Sequence, residues 1–202
     1  MQAVTLIEVL GTLLLASSFT ARSAASNDYL SPTALTASAD GQRLYVSCAT
    51  ANELVAFNLA TGTIAEHIPV PVSPLGTALS PDGKTLAVAC AAPESTICLV
   101  NAEQGKVVAK IPAGHTTMAP VFNPDGKTLY VCNRFNNEVA FIDLGLRKTI
   151  QTVRVPREPV AASITPDGKL LFVANHIHAG RADVDVVAAA VSVIDTASGK
   201  VT

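Results

Sequence analysis

Short apolar runs separated by turn residues fill the chain from about residue 32 onward. In one representative stretch, β-forming residues occupy 128–133, 138–143 and 148–153, with polar or glycine-containing segments between them. Runs of this length, with a turn signal every eight to twelve residues, are typical of antiparallel strands. No segment beyond residue 31 keeps a helical period. The pattern therefore predicts an all-β protein.

One turn phrase recurs four times at nearly constant spacing. It reads Ala-Asp-Gly-Gln at 39–42 and Pro-Asp-Gly-Lys at 81–84, 124–127 and 166–169. Proline presets a turn, aspartate bonds its own backbone and glycine accepts a positive φ, so each phrase predicts a tight hairpin. A fixed period of about 42 residues marks a repeat architecture. Four antiparallel strands per period predict β-propeller blades, at about 32–68, 75–111, 118–153 and 160–202.

The strand after each turn carries a second repeated signal. Residues 45–48, 87–90, 130–133 and 172–175 read YVSC, AVAC, YVCN and FVAN. With the flanking Pro-Asp-Gly turns and the segment at 193–201, these strands resemble the YVTN-type (YncE-like) β-propeller repeat, a WD40-like unit. The resemblance covers about residues 31–202. Because propellers of this type usually have about seven blades, it implies that the chain is the N-terminal part of a longer protein and that the fourth blade is incomplete.

The N-terminus predicts export. Residues 3–19 are mostly apolar and run into the small residues of 21–25, the composition of a signal peptide with its cleavage site. We therefore expect a signal peptide at 1–25, a polar lead-in at 26–31 and a periplasmic or cell-surface location. An uncleaved N-terminal anchor is the alternative, because Glu8 interrupts the run and no Lys or Arg precedes it. The string at 5–10 also resembles a type IV prepilin, although Ala3 stands where the cleavage glycine should be. No other stretch is long enough to span a membrane.

The composition narrows the range of partners. The net charge is −2 and the pI is about 6.0, so nucleic acid is not expected as a partner. Aromatic residues make up only 4% of the chain and tryptophan is absent, which disfavours a cage of stacked aromatic rings for sugars or bases.

Four cysteines, at 48, 90, 98 and 132, have no metal-binding or haem-attachment spacing. Export would permit a disulfide between Cys90 and Cys98, which bracket a short loop. The alternative is that all four are small buried strand residues.

The face opposite the Pro-Asp-Gly turns is the expected ligand face, because loops from successive blades converge there on the central channel. About ten extra residues of the fourth repeat, within 176–190, form an insertion on this face that concentrates ligand-type side chains. His176 and His178 are two positions apart, so an extended segment would place both imidazoles on the same face. Together with the carboxylates nearby, these histidines make a metal site chemically possible. The alternative is a solvated surface loop. The candidate ligand-binding residues are His115, Arg134, Asn136, His176, His178, Arg181, Asp183 and Asp185.

Enzyme motifs are absent, since the chain has no nucleophile elbow, phosphate-binding glycine loop or His-Glu-x-x-His. No catalytic residue and no cofactor is evident. We expect an exported binding or scaffold module that presents its loop face to a protein or small ligand. Relatives implied by the resemblance are sometimes joined to c-type cytochrome segments, which implies a cytochrome domain or partner and a link to periplasmic electron transfer. The alternative is a propeller enzyme of lactonase-like or cytochrome cd1-like type.

Overall fold

The computed structural model describes residues 29–176 and 189–202, and within them the ordered structure is almost entirely β. The expected signal peptide at 1–25 lies outside the described residues, as does most of the insertion. The strands are β1 (Pro32–Ala37), β2 (Arg43–Cys48), β3 (Glu53–Asn58), β4 (Thr63–Pro69), β5 (Pro74–Leu79), β6 (Thr85–Cys90), β7 (Thr96–Asn101), β8 (Lys106–Pro112), β9 (Thr117–Phe122), β10 (Thr128–Asn133), β11 (Glu138–Asp143), β12 (Lys148–Arg154), β13 (Pro159–Ile164), β14 (Leu170–Asn175) and β15 (Ala190–Asp195).

The strands form four antiparallel sheets, each a meander in sequence order. Blades 1, 2 and 3 are β1–β4, β5–β8 and β9–β12, and blade 4 consists of β13, β14 and β15. In blade 4, Ile194 also makes an isolated bridge to Val201, at the position of a fourth strand. The first strand of each blade contacts the first strand of the next, from β1 to β5, β9 and β13. The blades are therefore arranged around a centre that is lined by their first strands.

The Pro-Asp-Gly phrases form the predicted hairpin turns. The Asp82 carboxylate accepts the Lys84 N–H at 3.1 Å and the Ser80 hydroxyl at 2.6 Å, and Gly83 has a φ of +72°. The Ser80 hydrogen bond lowers the pKa of the Asp82 carboxyl. Equivalent bonds from Ser38 and Thr165 lower the pKa of Asp40 and Asp167. These aspartates are turn formers, as the sequence predicts.

The turn between the third and fourth strands of each blade also needs a left-handed residue. Glycine supplies it in three blades, at Gly62, Gly105 and Gly199, where φ is +67°, +61° and +68°. In blade 3 the equivalent residue is Arg147, with a φ of +54°. A residue with a Cβ is strained in this conformation, so blade 3 carries a strain that the other three turns lack.

The hydrophobic core lies between blades rather than within one layer. Because strand side chains alternate in direction, each blade has a forward face toward the next blade and a backward face toward the preceding one. At the boundary of blades 3 and 4, Tyr130 and Phe141 of the forward face pack with Leu171, Val173 and Ile194 of the backward face. The Tyr130 and Phe141 rings meet edge to face at 4.7 Å. Two further clusters of the same kind join blades 1 to 2 and 2 to 3.

All four cysteines are buried as free thiols in strands. Cys90 lies opposite Thr96, and Cys98 opposite Val88, so the two cysteines are diagonal neighbours on one face of blade 2. A hydrogen bond between the two thiols raises the pKa of Cys90 and lowers that of Cys98. Burial raises the pKa of Cys132 to about 12. The Cys90–Cys98 disulfide stays a prediction.

Helices long and apolar enough to span a membrane do not occur in the described part of the chain.

Candidate functional site

The β10–β11 loop of blade 3 lies on the loop face and carries an exposed aromatic side chain, Phe135. A single 3-10 turn at Arg134–Asn136 forms this loop, and Asn137 closes it in the left-handed conformation with a φ of +56°. The turn projects Phe135 outward, leaving the residue 51% exposed. The ring of His115 meets the Phe135 ring edge-on at 5.1 Å, and the Arg134 guanidinium lies 5.0 Å from its centroid.

Arg134 connects this loop to the start of blade 4. Its Nε and Nη2 both donate to Glu158 Oε2, at 3.0 and 2.6 Å. The Glu158 side chain is only 14% exposed, so the ion pair is partly shielded from water. His176 Nδ1 lies 4.0 Å from the same carboxylate oxygen. We call His115, Arg134, Phe135, Asn136, Glu158 and His176 the Phe135 ledge.

Hydrogen bonds from backbone N–H groups to amide side chains fix the ledge. The His115 N–H donates to Asn136 Oδ1, and the Glu158 N–H donates to Asn137 Oδ1 at 3.0 Å. The second bond has an equivalent in blade 1, where Asn52 Oδ1 accepts the Ser73 N–H at 2.8 Å. Glu158 and Ser73 both have positive φ angles, and each immediately precedes the first strand of a blade. The loop of one blade thereby fixes the residue that precedes the first strand of the next blade.

A buried polar network supports the ledge from below. Asn133 Oδ1 accepts the Thr117 hydroxyl at 2.7 Å and the Gly114 N–H at 3.2 Å, and Asn133 Nδ2 donates to Glu138 at 3.0 Å. Ser95 Oγ accepts the Thr117 N–H at 3.0 Å. Asn133, Thr117 and Ser95 are all buried. Because buried polar groups with satisfied partners resist rearrangement, the ledge stands on a rigid base.

The structure brings together four of the residues expected to bind a ligand, namely His115, Arg134, Asn136 and His176. Asn136 has a positioning role, because its oxygen accepts the His115 backbone N–H. His178, Arg181, Asp183 and Asp185 lie outside the described residues, so their role and the metal alternative with His176 stay predictions. Within 29–176 and 189–202, no three His, Cys, Asp or Glu side chains are grouped closely enough to hold a metal ion.

The sequence pattern does not single out two important members of the ledge. It places the segments 134–137 and 157–159 on the loop face, and with them Phe135 and Glu158, but it gives neither residue a binding role. The detectable signal for Glu158 is its position just before the strand-opening proline, which matches Ser31 before Pro32 and Ser73 before Pro74. Its pairing with Arg134 joins residues 24 positions apart, so no local sequence pattern indicates it.

Clefts elsewhere in the described structure lie near the opposite face. One cleft of about 580 Å³ between blades 2 and 3 is bordered by Asp82, Asp125 and Arg147 from their turns. Another of about 420 Å³ lies between blades 1 and 2. The Asp82 carboxylate, which borders both clefts, already accepts hydrogen bonds from its own turn. None of the residues of the Phe135 ledge lines either cleft, and its Phe135 side chain is exposed to a partner.

Comparisons with solved structures decide the architecture. Hydrazine synthase from Kuenenia stuttgartiensis matches with a TM-score of 0.74 and 25% identity over 91% of this chain. U3-55K matches with a TM-score of 0.69 and 16% identity over 86% of this chain. The described sheets are blades of a β-propeller.

The match covers only part of each of the other proteins. In both comparisons this chain spans about half of the matched chain, 51% in each case. No protein-family model matches the sequence, and no curated protein matches it either. The all-β propeller predicted from the repeats is confirmed, whereas the YVTN-type assignment and the seven-bladed ring stay predictions.

Proposed function

We propose that this chain is an exported YVTN-type propeller module that binds a protein partner through the Phe135 ledge. The observation that carries the proposal is the half-exposed Phe135 ring, held between His115 and Arg134 on a hydrogen-bonded turn. Exposed aromatic and arginine side chains on a rigid support are the residues that dominate binding energy at protein interfaces. Fixing them before binding reduces the entropy lost on association.

The shape of the ledge favours a protein over a small molecule. Small-molecule sites are concave and enclose most of their ligand, whereas Phe135 is half-exposed and lines neither of the two clefts described above. A partner would cover the Phe135 ring and place polar or acidic groups near Arg134 and His115. The proposed location is the periplasm or cell surface, in keeping with the apolar run and small residues at the start of the sequence.

A capture experiment with matched variants tests the proposal. The immobilised protein is incubated with a periplasmic extract, and bound proteins are quantified for the wild type, Phe135→Ser and Leu146→Ser. Leu146 is 63% exposed on the turn face, so it controls for the loss of any exposed apolar side chain. We expect Phe135→Ser to lose at least one partner that Leu146→Ser retains. Equal capture by both variants would contradict the proposal.

The cytochrome link is a separate proposal that rests on the resemblance of the repeats. Its test uses a purified c-type cytochrome as the probe, titrated into the wild type and Phe135→Ser and followed by calorimetry. Binding by the wild type that weakens in the variant supports the link. Absence of binding by the wild type removes the cytochrome as a partner, without affecting a different protein partner found by capture.

An enzyme of lactonase-like or cytochrome cd1-like type is the second candidate. The observation in its favour is that one of the matched structures is an enzyme, hydrazine synthase. A lactone-hydrolysis assay and a haem absorption spectrum distinguish this candidate from the binding module. Lactone turnover or a haem band from the purified protein would favour the enzyme.

A further inference from the structure

Two of the three boundaries between blades share a contact on the turn face. At each of them, the glycine in the turn between the third and fourth strands lies against a long polar side chain of the preceding blade. Gly105 of blade 2 lies against Glu66 of blade 1, and a Cβ added to Gly105 would clash with the Glu66 carboxylate. Gly199 of blade 4 lies in the same way against the Gln151 amide of blade 3. The polar side chain therefore occupies the space beside the glycine at both boundaries.

The boundary between blades 2 and 3 differs from the other two in both members of this contact. Ala109 stands where blades 1 and 3 have Glu66 and Gln151. Arg147 stands where the other blades have glycine, in a left-handed conformation that strains it. Together these exchanges leave space, because the cleft of about 580 Å³ lies at this boundary and both Ala109 and Arg147 line it. A strained residue beside a cleft is a feature of functional sites.

The inner wall of this cleft is apolar. Leu99 and Phe122 line it, and both are buried members of the core cluster that joins blades 2 and 3. Ala87 belongs to the same cluster and is the equivalent of Tyr45 in blade 1. The Tyr45 hydroxyl crosses the boundary of blades 1 and 2 and donates to the Ala102 carbonyl at 3.0 Å. Because Ala87 has no such ring, the boundary of blades 2 and 3 lacks the phenol that bridges blades 1 and 2.

Two groups of opposite charge lie at the mouth of the cleft. Arg147 and Asp125 both line it and are exposed, and the ion pairs found within 29–176 and 189–202 include neither of them. Asp125 accepts the Lys127 N–H at 2.8 Å. It lacks the hydroxyl bond that the other three turn aspartates accept, because Asn123 stands where they have serine or threonine. The guanidinium and this carboxylate therefore have capacity for a ligand.

We propose that this cleft binds a small zwitterion with an aromatic side chain, of the class of an aromatic amino acid. The ligand carboxylate binds the Arg147 guanidinium, whose planar donors match it, and the ligand ammonium pairs with Asp125. The aromatic ring packs on Leu99 and Phe122. A simple anion would meet the carboxylates of Asp82 and Asp125, and a simple cation would meet Arg147, so a ligand with both charges is favoured. The volume of the cleft lies within the range of about 300 to 1,000 Å³ that is typical of small-molecule sites.

The test is calorimetry on the whole chain with phenylalanine as the probe. Phenethylamine lacks the carboxylate of phenylalanine, and 3-phenylpropionate lacks its ammonium group. We expect the wild type to bind phenylalanine and to bind each of the two analogues more weakly by about tenfold or more, because each loses one charged hydrogen bond. If the wild type binds none of phenylalanine, tyrosine and tryptophan, the proposal is overturned. Equal affinity for phenylalanine and phenethylamine would also overturn it.

Three variants locate the binding to the cleft. Arg147→Gly restores the residue of the other blades, so it should fold, and it should weaken phenylalanine binding by about tenfold or more. Adding Ala109→Gln to that variant re-creates the boundary of blades 3 and 4 and should abolish binding. Lys169→Gln removes a cation from the blade 4 turn, outside the cleft, and should leave binding unchanged. Phenylalanine binding that is the same in Arg147→Gly as in the wild type would refute the proposed site.

Discussion

Arg134 and Glu158 form the only arginine–carboxylate pair in the described residues with two donors on one oxygen, at 3.0 and 2.6 Å. The pair joins the β10–β11 loop of blade 3 to the entry of blade 4. The rigidity of the Phe135 ledge therefore depends on a contact between two blades. The two side chains are 31% and 14% exposed, so solvent screens their interaction less than that of an ordinary surface pair.

Replacing Glu158 by Gln should lower the free energy of unfolding by about 2 kcal/mol, because a charge-assisted hydrogen bond in a shielded site is lost. Chemical denaturation followed by circular dichroism measures the change. Lys169→Gln is the control, because Lys169 and Asp167 form an exposed pair at 3.5 Å that should contribute less than about 1 kcal/mol. Equal effects of the two substitutions would mean that the Arg134–Glu158 pair has no special role.

Arg147 offers a test of backbone strain in blade 3. Its φ of +54° is the conformation that glycine adopts at the same place in the other three blades. Arg147→Gly should therefore raise the free energy of unfolding by about 1 kcal/mol, measured by chemical denaturation.

The matched substitution at the equivalent turn should have the opposite sign. Gly62 has a φ of +67°, and a Cβ added there would meet no atom within 4 Å, so Gly62→Ala adds strain without a clash. It should destabilise the protein by about 1 kcal/mol. A loss of stability in Arg147→Gly would show that the arginine side chain contributes more than its backbone conformation costs.

The Asp-Gly turns should make stability depend on pH in the acid range. Hydrogen bonds from Ser38, Ser80 and Thr165 lower the folded-state pKa of Asp40, Asp82 and Asp167 below 3.8. A lowered pKa means that these carboxylates stabilise the fold fully above the unfolded-state pKa, and that this contribution disappears as the pH falls through the folded-state values. We therefore expect the urea concentration at the unfolding midpoint to decrease when the pH is lowered below about 4.

Ser80→Ala isolates one of these turns. The variant loses the hydroxyl that lowers the pKa of Asp82, together with the bond from the Thr85 N–H to Ser80 Oγ. Its stability deficit relative to the wild type should be largest near neutral pH and smaller below the folded-state pKa of Asp82. A deficit that does not change with pH would contradict the assigned role of the Ser80–Asp82 bond.

The cysteine pair of blade 2 gives a prediction about oxidation. Diagonal neighbours on adjacent strands have Cα atoms about 7–8 Å apart, whereas a disulfide requires less than about 7 Å. We therefore expect unreduced, unfolded protein to react with four equivalents of a thiol reagent, and native protein to react slowly because all four thiols are buried. Two equivalents instead of four would show that one disulfide is present and would contradict the argument from the distance between Cys90 and Cys98.

The hairpins were predictable because their causes are local. Asp125, Gly126 and the following apolar run specify a turn and a strand without help from distant residues, and strand β10 has the predicted limits, 128–133. Pro74 and Gly76 resemble turn residues, so the sequence pattern indicates a strand only at 77–79, but strand β5 begins at Pro74. The reason for the glycine lies in the next blade: a Cβ at Gly76 would lie 2.6 Å from Pro120 Cδ.

The candidate site was predictable only in part, for the same physical reason. The repeat placed His115, Arg134 and Asn136 on the loop face, since the position of each loop within a blade follows from strand order. The pairing of Arg134 with Glu158 depends on how two blades pack, which no local pattern records. The exposure of Phe135 depends on a single 3-10 turn, where the sequence pattern indicates only an irregular polar loop.

The most direct test of the binding proposal is hydrogen–deuterium exchange with and without a captured partner. We predict slower exchange in the loop-face segments 113–116 and 134–137, with no change in the hairpin turns at 81–84 and 124–127. Protection confined to the turns or to the outer strands β4, β8 and β12 would contradict the proposal and place the binding surface elsewhere on the propeller.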